Sequence, residues 1–147
     1  DPKAFSQNYV KILYLLKACG SMDQLKQSMV TELVDAVENL DRLSLNFGSK
    51  HLFFWSKFWG LNTIFYIYDT RMKAIAKLFS GKNVSYFNYL GFLRNVEKHL
   101  SLSEGTAERG IFAFSNNFFT NTNPPKLKSV DKIMDNYQIE LAKTFVR

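Results

Sequence analysis

Apolar residues recur at helical spacing along most of the chain. Phe5, Tyr9, Ile12, Leu13 and Leu16 share one face of residues 3–18, which predicts a helix. Gly20 ends it, and Ser21 is placed to cap the next one. Met22, Leu25, Met29, Leu33, Ala36 and Leu40 carry the pattern over 22–40 with the acidic residues largely off that face, as in an amphipathic surface helix. Residues 41–49, rich in Asn, Ser and Gly, read as a short turn. From 50 to 59 the polar face disappears: Leu52, Phe53, Phe54, Trp55, Phe58 and Trp59 make the segment apolar almost all round, which predicts a central, buried helix. Gly60-Leu61-Asn62-Thr63 breaks it, and Ile64–Tyr68 is extended and apolar. Met72, Ile75, Ala76 and Phe79 then mark a short helix that starts at Asp69 and stops at Gly81. Phe87, Leu90, Leu93, Val96 and Leu100 mark another over 84–100. Residues 101–128 are the least regular. Gly105 and Gly110 flank a helix start, four phenylalanines (Phe112, Phe114, Phe118, Phe119) interleave with Asn116, Asn117, Asn121 and Asn123, and Pro124-Pro125 forbids helix. The simplest expectation for that stretch is a hydrophobic loop folded on the core. Ser129 caps a last helix with Val130, Ile133, Met134, Tyr137, Leu141 and Phe145 turned inward. The pattern predicts an all-α, compact helical domain over 1–147, without internal repeats.

Composition narrows the class. With 147 residues, 46% hydrophobic and 16% aromatic, the chain is too apolar for disorder and long enough for one real core. No apolar run reaches about 18 residues without charge, so a membrane span is not expected, and no secretory pattern opens the sequence. Cys19 is the only cysteine, which rules out an intramolecular disulfide and fits a reducing, cytoplasmic setting. Two histidines and one cysteine make a poor zinc set. The net charge of +6 is uneven. Residues 18–41 hold Asp23, Glu32, Asp35, Glu38 and Asp41 against Lys26 alone. Residues 42–98 hold Arg42, Lys50, Lys57, Arg71, Lys73, Lys77, Lys82, Arg94 and Lys98 against Asp69 and Glu97. Such a basic half suits a polyanionic partner, and equally a solvated surface on a mildly basic protein.

The candidate chemistry lies within this basic half. Lys50 opens the aromatic helix. Hydrophobic surroundings and the positive end of the helix dipole both favour its neutral, nucleophilic amine. Asp69 follows 19 residues later, at the start of the next helix, where it can cap the helix with its charge favoured. One helix and one loop join the two, so a helical hairpin can bring both to one cleft. Each also has a plain structural explanation, a surface lysine and a capping aspartate. His51 and His99 stand in no catalytic pattern, and Trp55, Trp59, Phe53 and Phe54 at helical spacing are assigned to core packing.

Gly48-Ser49-Lys50, the aromatic helix, a short loop and then Ile67-Tyr68-Asp69-Thr70-Arg71-Met72 resemble the core of the helix-hairpin-helix DNA glycosylases, in particular the 8-oxoguanine glycosylase-like branch with its small bacterial and phage-defence members. The resemblance covers residues 40–80, and the remainder matches only as an all-helical outline. Leu43-Ser44-Leu45-Asn46-Phe47-Gly48 stands where the family has a Leu-Pro-Gly-Val-Gly hairpin, and Tyr66 where it often has proline. The resemblance implies a monomeric DNA glycosylase with AP-lyase activity, working on double-stranded DNA with a damaged or modified base and without metal or other cofactor. Lys50 would attack C1′ of a flipped-out nucleotide and form a Schiff base, followed by β-elimination. Asp69 would stabilise the developing positive charge or shuttle protons. Gly48 and Ser49 would approach the DNA backbone, with Arg71 and Lys73 as further DNA contacts. The implied base is 8-oxoguanine or another modified base, in repair or in defence.

Two other classes compete. A non-catalytic DNA-binding module of the same fold would tolerate Lys50→Ala. A helical interaction domain with incidental basic residues would show no salt-dependent DNA binding.

Overall fold

The computed structural model describes residues 1–40 and 44–145, with side chains for all of these except 136, 137 and 140–145. Among them are seven α-helices and no strand: α1 (Pro2–Ala18), α2 (Gln27–Glu38), α3 (Leu45–Phe58), α4 (Thr70–Ser80), α5 (Tyr86–His99), α6 (Thr106–Phe118) and α7 (Val130–Phe145). The all-α expectation therefore holds. No helix among the described residues is long and apolar enough to cross a membrane.

α1 packs on α2, α2 on α3 and α5, and α6 on α4, α5 and α7. Ile12, Leu15 and Leu16 of α1, Val30, Leu33 and Val37 of α2, Leu52 of α3, Ile75 of α4 and Leu90 and Leu93 of α5 form one buried cluster. Local signals set several boundaries. Asp1 caps α1 ahead of Pro2, Ser85 caps α5 through the Asn88 N–H, and Gly81 closes α4 at φ 73°, a conformation that suits glycine. Cys19 is buried at the end of α1, and burial pushes its thiol up to about 11. At pH 8 we expect alkylation of Cys19 in the folded protein to be at least about 100-fold slower than in urea. Equal rates would show that the α1 end opens freely.

Several sequence expectations are corrected. The helix expected over 22–40 is split. Ser21 and Gln24 close a separate 3-10 turn at Met22–Gln24, and Leu25 and Lys26 are extended before α2 starts. α3 starts at Leu45, not at Lys50. Ser44 is its N-cap and Asn46–Ser49 are helical, while residues 41–43 of the expected turn lie outside the described residues. Nor is α3 buried all round. Its sealed stripe is Gly48, Ser49, Leu52 and Ser56, and Phe54 and Phe58 are 63% and 83% exposed. Small residues let this face approach α2, which leaves the bulky aromatics to point outward.

The stretch 101–128 contains a helix that sequence did not resolve. Gly105 adopts φ 85° and α6 follows, burying Ala107, Glu108 and Ser115 with Ile111, Phe114 and Phe118 half-buried beside them. The prolines do bar helix after it. Phe119 and Leu127 form an isolated antiparallel bridge, and Thr120 donates to the Lys126 carbonyl at 2.7 Å, closing a loop over 119–127. On α7, Val130 and Met134 are exposed rather than inward and Ile133 is half-buried. Tyr137, Leu141 and Phe145 fall among the side chains not described.

Candidate functional site

The segment from Thr63 to Tyr68 has the regular partners of neither a helix nor a sheet, yet it is almost wholly buried. Buried backbone polar groups need partners, and here side chains from three helices supply them. Ser49 of α3 accepts the Tyr68 N–H at 2.9 Å, and Glu108 of α6 accepts the Ile67 N–H at 2.6 Å. From α5, Tyr89 donates to the Ile67 carbonyl at 2.9 Å and Tyr86 to the Tyr66 carbonyl at 2.8 Å. At its start, Thr63 donates to the Gly20 carbonyl just beyond α1 at 2.7 Å. The result is a rigid strap that delivers Asp69 to the start of α4, where Oδ1 accepts the Met72 N–H at 3.0 Å. The expected capping role of Asp69 is thus met.

Lys50 lies in the second turn of α3, half-buried, rather than at the helix start, so the dipole acts on it less directly than expected. It nonetheless meets Asp69. Both residues line two adjoining cavities. One, of about 320 Å³, is polar, with Asn46, Thr70, Arg71, Thr122 and Asn123 in its wall. The other, of about 420 Å³, is largely apolar, with Phe53, Met72 and Phe112 beside Glu108 and Arg109. Lys50 and Asp69 form no ion pair with each other, and among the described residues neither is paired elsewhere. A primary amine and a carboxyl group thus share the junction between a polar and an apolar chamber.

The four residues expected to touch DNA fare differently. Gly48 and Ser49 are sealed inside the fold. A Cβ on Gly48 would lie 2.2 Å from Val37 Cγ1, so the close approach that glycine permits there is to α2 and not to a phosphate. Ser49 is spent on the strap. Arg71 does line the polar cavity, but its guanidinium donates to Asn116 and Asn121, tying the end of α6 and the 119–127 loop to α4. Lys73 sits with Nζ 5.4 Å from the Tyr68 ring centroid and borders neither cavity.

Three participants escaped the sequence reading. Phe53, assigned to the core, is a wall of the apolar cavity. Asn46 donates to Thr70 at 3.1 Å, linking the starts of α3 and α4, and its buried Oδ1 has no partner among the described residues. Glu108 is 8% exposed, and burial pushes its carboxyl up to about 7, against the opposing Ile67 N–H bond and Lys57 charge. The acidic residue in the first turn after Gly105 is visible in the sequence. Its burial depends on a partner 41 residues away. No family model, characterised protein or solved structure matches the chain.

Proposed function

We propose that the protein is a DNA glycosylase with AP-lyase activity, which removes a modified, 8-oxoguanine-like base from double-stranded DNA through a Schiff base on Lys50. The observation that carries this proposal is that Lys50 and Asp69, 19 residues apart in the chain, both line one apolar cavity. The Gly48-Ser49-Lys50 and Asp69 motifs that suggest the family, and the basic balance of residues 42–98, support it.

The chemistry follows from the arrangement. A nucleotide extruded from the duplex places its base in the 420 Å³ cavity, between Phe53, Met72 and Phe112. The sugar and phosphate lie toward the polar cavity, lined by Asn46, Thr70 and Asn123. The amine of Lys50, once it has given up its proton to solvent, attacks C1′, and the Asp69 carboxyl, held by the Met72 N–H, faces the positive charge that develops on the sugar ring. Ring opening gives the Schiff base, and loss of the 2′ proton allows β-elimination of the 3′ phosphate.

Borohydride reduction of the Schiff base tests this. On duplex DNA with an abasic site, and on duplex DNA with 8-oxoguanine opposite cytosine, the wild type should give a covalent adduct. Lys50→Gln should give none, and Asp69→Asn should slow trapping on the damaged base by about 100-fold. An adduct undiminished in Lys50→Gln would move the nucleophile elsewhere. No adduct from the wild type on either DNA would overturn the assignment, leaving a binding module.

A further inference from the structure

Glu108 is a carboxyl in the apolar cavity to which the reaction above gives no task. Its position is unusual for a surface acid. One oxygen, Oε1, is fixed by the Ile67 N–H at 2.6 Å. The other accepts no hydrogen bond among the described residues. Glu108, only 8% exposed, stands in the wall of the cavity that Lys50 and Asp69 also line. Around it the wall is Phe53, Met72 and Phe112, which offer a heterocycle no hydrogen bond. A ligand seated there meets Glu108 as one of few polar groups, with Lys50, Asp69 and Arg109, on a largely apolar surface.

We propose that Glu108 is the acid that protonates the departing base, delivering its proton from Oε2 as Lys50 attacks C1′. The proposal rests on the glycosylase assignment and deepens it. The step balances without an added reagent. The Lys50 lone pair forms the N–C1′ bond, the glycosidic C1′–N bond breaks, and its electron pair stays on the base. The Glu108 proton goes to an acceptor nitrogen or carbonyl oxygen of that base, which leaves neutral. Glu108 remains as a carboxylate, able to take up a proton released from the new secondary ammonium. The substrate class is then a base that is a poor leaving group as an anion and carries a protonatable acceptor on the edge facing α6.

The surroundings of Glu108 favour this role near neutral pH. Burial is the largest influence and raises its carboxyl to about 7, and the nearby Asp69 and Glu97 add to the rise. The Ile67 N–H and Lys57 act in the opposite direction, and Lys50 and Arg109 line the same cavity. Tyr86 and Tyr89 face it from α5, but their hydroxyls already donate to the Tyr66 and Ile67 carbonyls. Below about pH 7 the proton is held, and above it the proton is lost. An acid-catalysed excision should therefore fall by about tenfold per unit as pH rises past that point.

Glu108→Gln separates base departure from lysine chemistry, because its side-chain carbonyl can still accept the Ile67 N–H. An abasic site has no base to protonate. Wild type and variant are compared by single-turnover release of 8-oxoguanine, hypoxanthine and uracil from duplex DNA, and by borohydride trapping on abasic duplex. Thermal unfolding checks the fold. We expect the ratio of base release to abasic-site trapping to fall at least about 100-fold in Glu108→Gln, and its fall with alkaline pH to vanish. Base release at the wild-type rate in the variant would overturn the proposal. So would parallel loss of both activities, which marks Glu108 as a mere clamp of the strap. A wild type that traps the abasic site but releases none of the three bases overturns the Glu108 role alone. A wild type that traps nothing overturns the glycosylase assignment, and this proposal with it.

Discussion

Glu97→Leu should destabilise the protein by about 3–5 kcal/mol. Glu97 is fully buried in α5, and its carboxyl is where three separate parts of the chain converge. Tyr66 of the strap donates to Oε2 at 2.6 Å. Oε1 receives the Gly105 N–H at 2.7 Å and the Ala107 N–H at 3.3 Å, both at the start of α6. Arg94, one turn earlier, reaches to 3.9 Å. The first N–H groups of a helix have no partner within it, and Glu97 performs for α6 the service that a capping side chain performs elsewhere. Leucine would leave two backbone donors and a hydroxyl buried without an acceptor, each costing about 1–3 kcal/mol. Burial and the Glu97 carboxyl beside it push the Tyr66 hydroxyl well above its ordinary range, so this group keeps its proton and needs an acceptor. Glu97→Gln keeps an acceptor for α6 and should cost about 1 kcal/mol. Urea denaturation of the three proteins gives the ranking. A Leu variant within 1 kcal/mol of wild type would mean that water replaces the carboxyl. Because Glu108 lies one residue beyond Ala107, the Leu variant should also lose whatever depends on the apolar cavity.

What the sequence revealed and what it hid divide along the range of the interactions involved. α4 and α5 were readable because their signals are local: apolar residues at helical spacing, Asp69 and Ser85 at the starts, Gly81 in the left-handed conformation at a stop. That Lys50 and Asp69 share one cavity was readable because a hairpin of one helix and one strap leaves few other arrangements. The start of α3 was not. Asn46-Phe47-Gly48-Ser49 has the composition of a turn, and it is helical because Gly48 and Ser49 fit against Val37 and Tyr68, contacts made only in the folded chain. The orientation of α3 was hidden for a related reason. Hydrophobicity alone would bury Phe54 and Phe58, but the interface with α2 selects small residues. Glu108 was hidden most completely. An acid in a first helical turn is usually a solvated dipole partner, and only the unpaired backbone of a strap 41 residues earlier draws it inside.

Gly48→Ala distinguishes the two explanations of that glycine. If Gly48 serves to admit a DNA backbone, alanine should weaken DNA binding and leave stability unchanged or slightly improved, since alanine favours a helix interior over glycine by about 0.5–1 kcal/mol. The packing predicts otherwise. The new Cβ would lie 2.2 Å from Val37 Cγ1, well inside van der Waals contact. Val37 is fully buried and β-branched, with little freedom to rotate away. Either α3 moves off α2 or Val37 leaves its rotamer, and overpacking of this kind costs about 1–3 kcal/mol. Because Lys50 is two residues further along α3, the same movement should displace the amine and slow Schiff-base trapping. Val37→Ala removes the obstructing methyl while leaving its own Cβ 3.6 Å from the added one, an ordinary contact. In a double-mutant cycle the pair should therefore be more stable than the sum of the single changes by about 1–3 kcal/mol, and the double variant should recover trapping. Additive stabilities, or a trapping defect that Val37→Ala does not relieve, would return Gly48 to the DNA-facing role. Coupling would place it under the site, as the contact that sets how deeply α3 seats and hence where Lys50 stands.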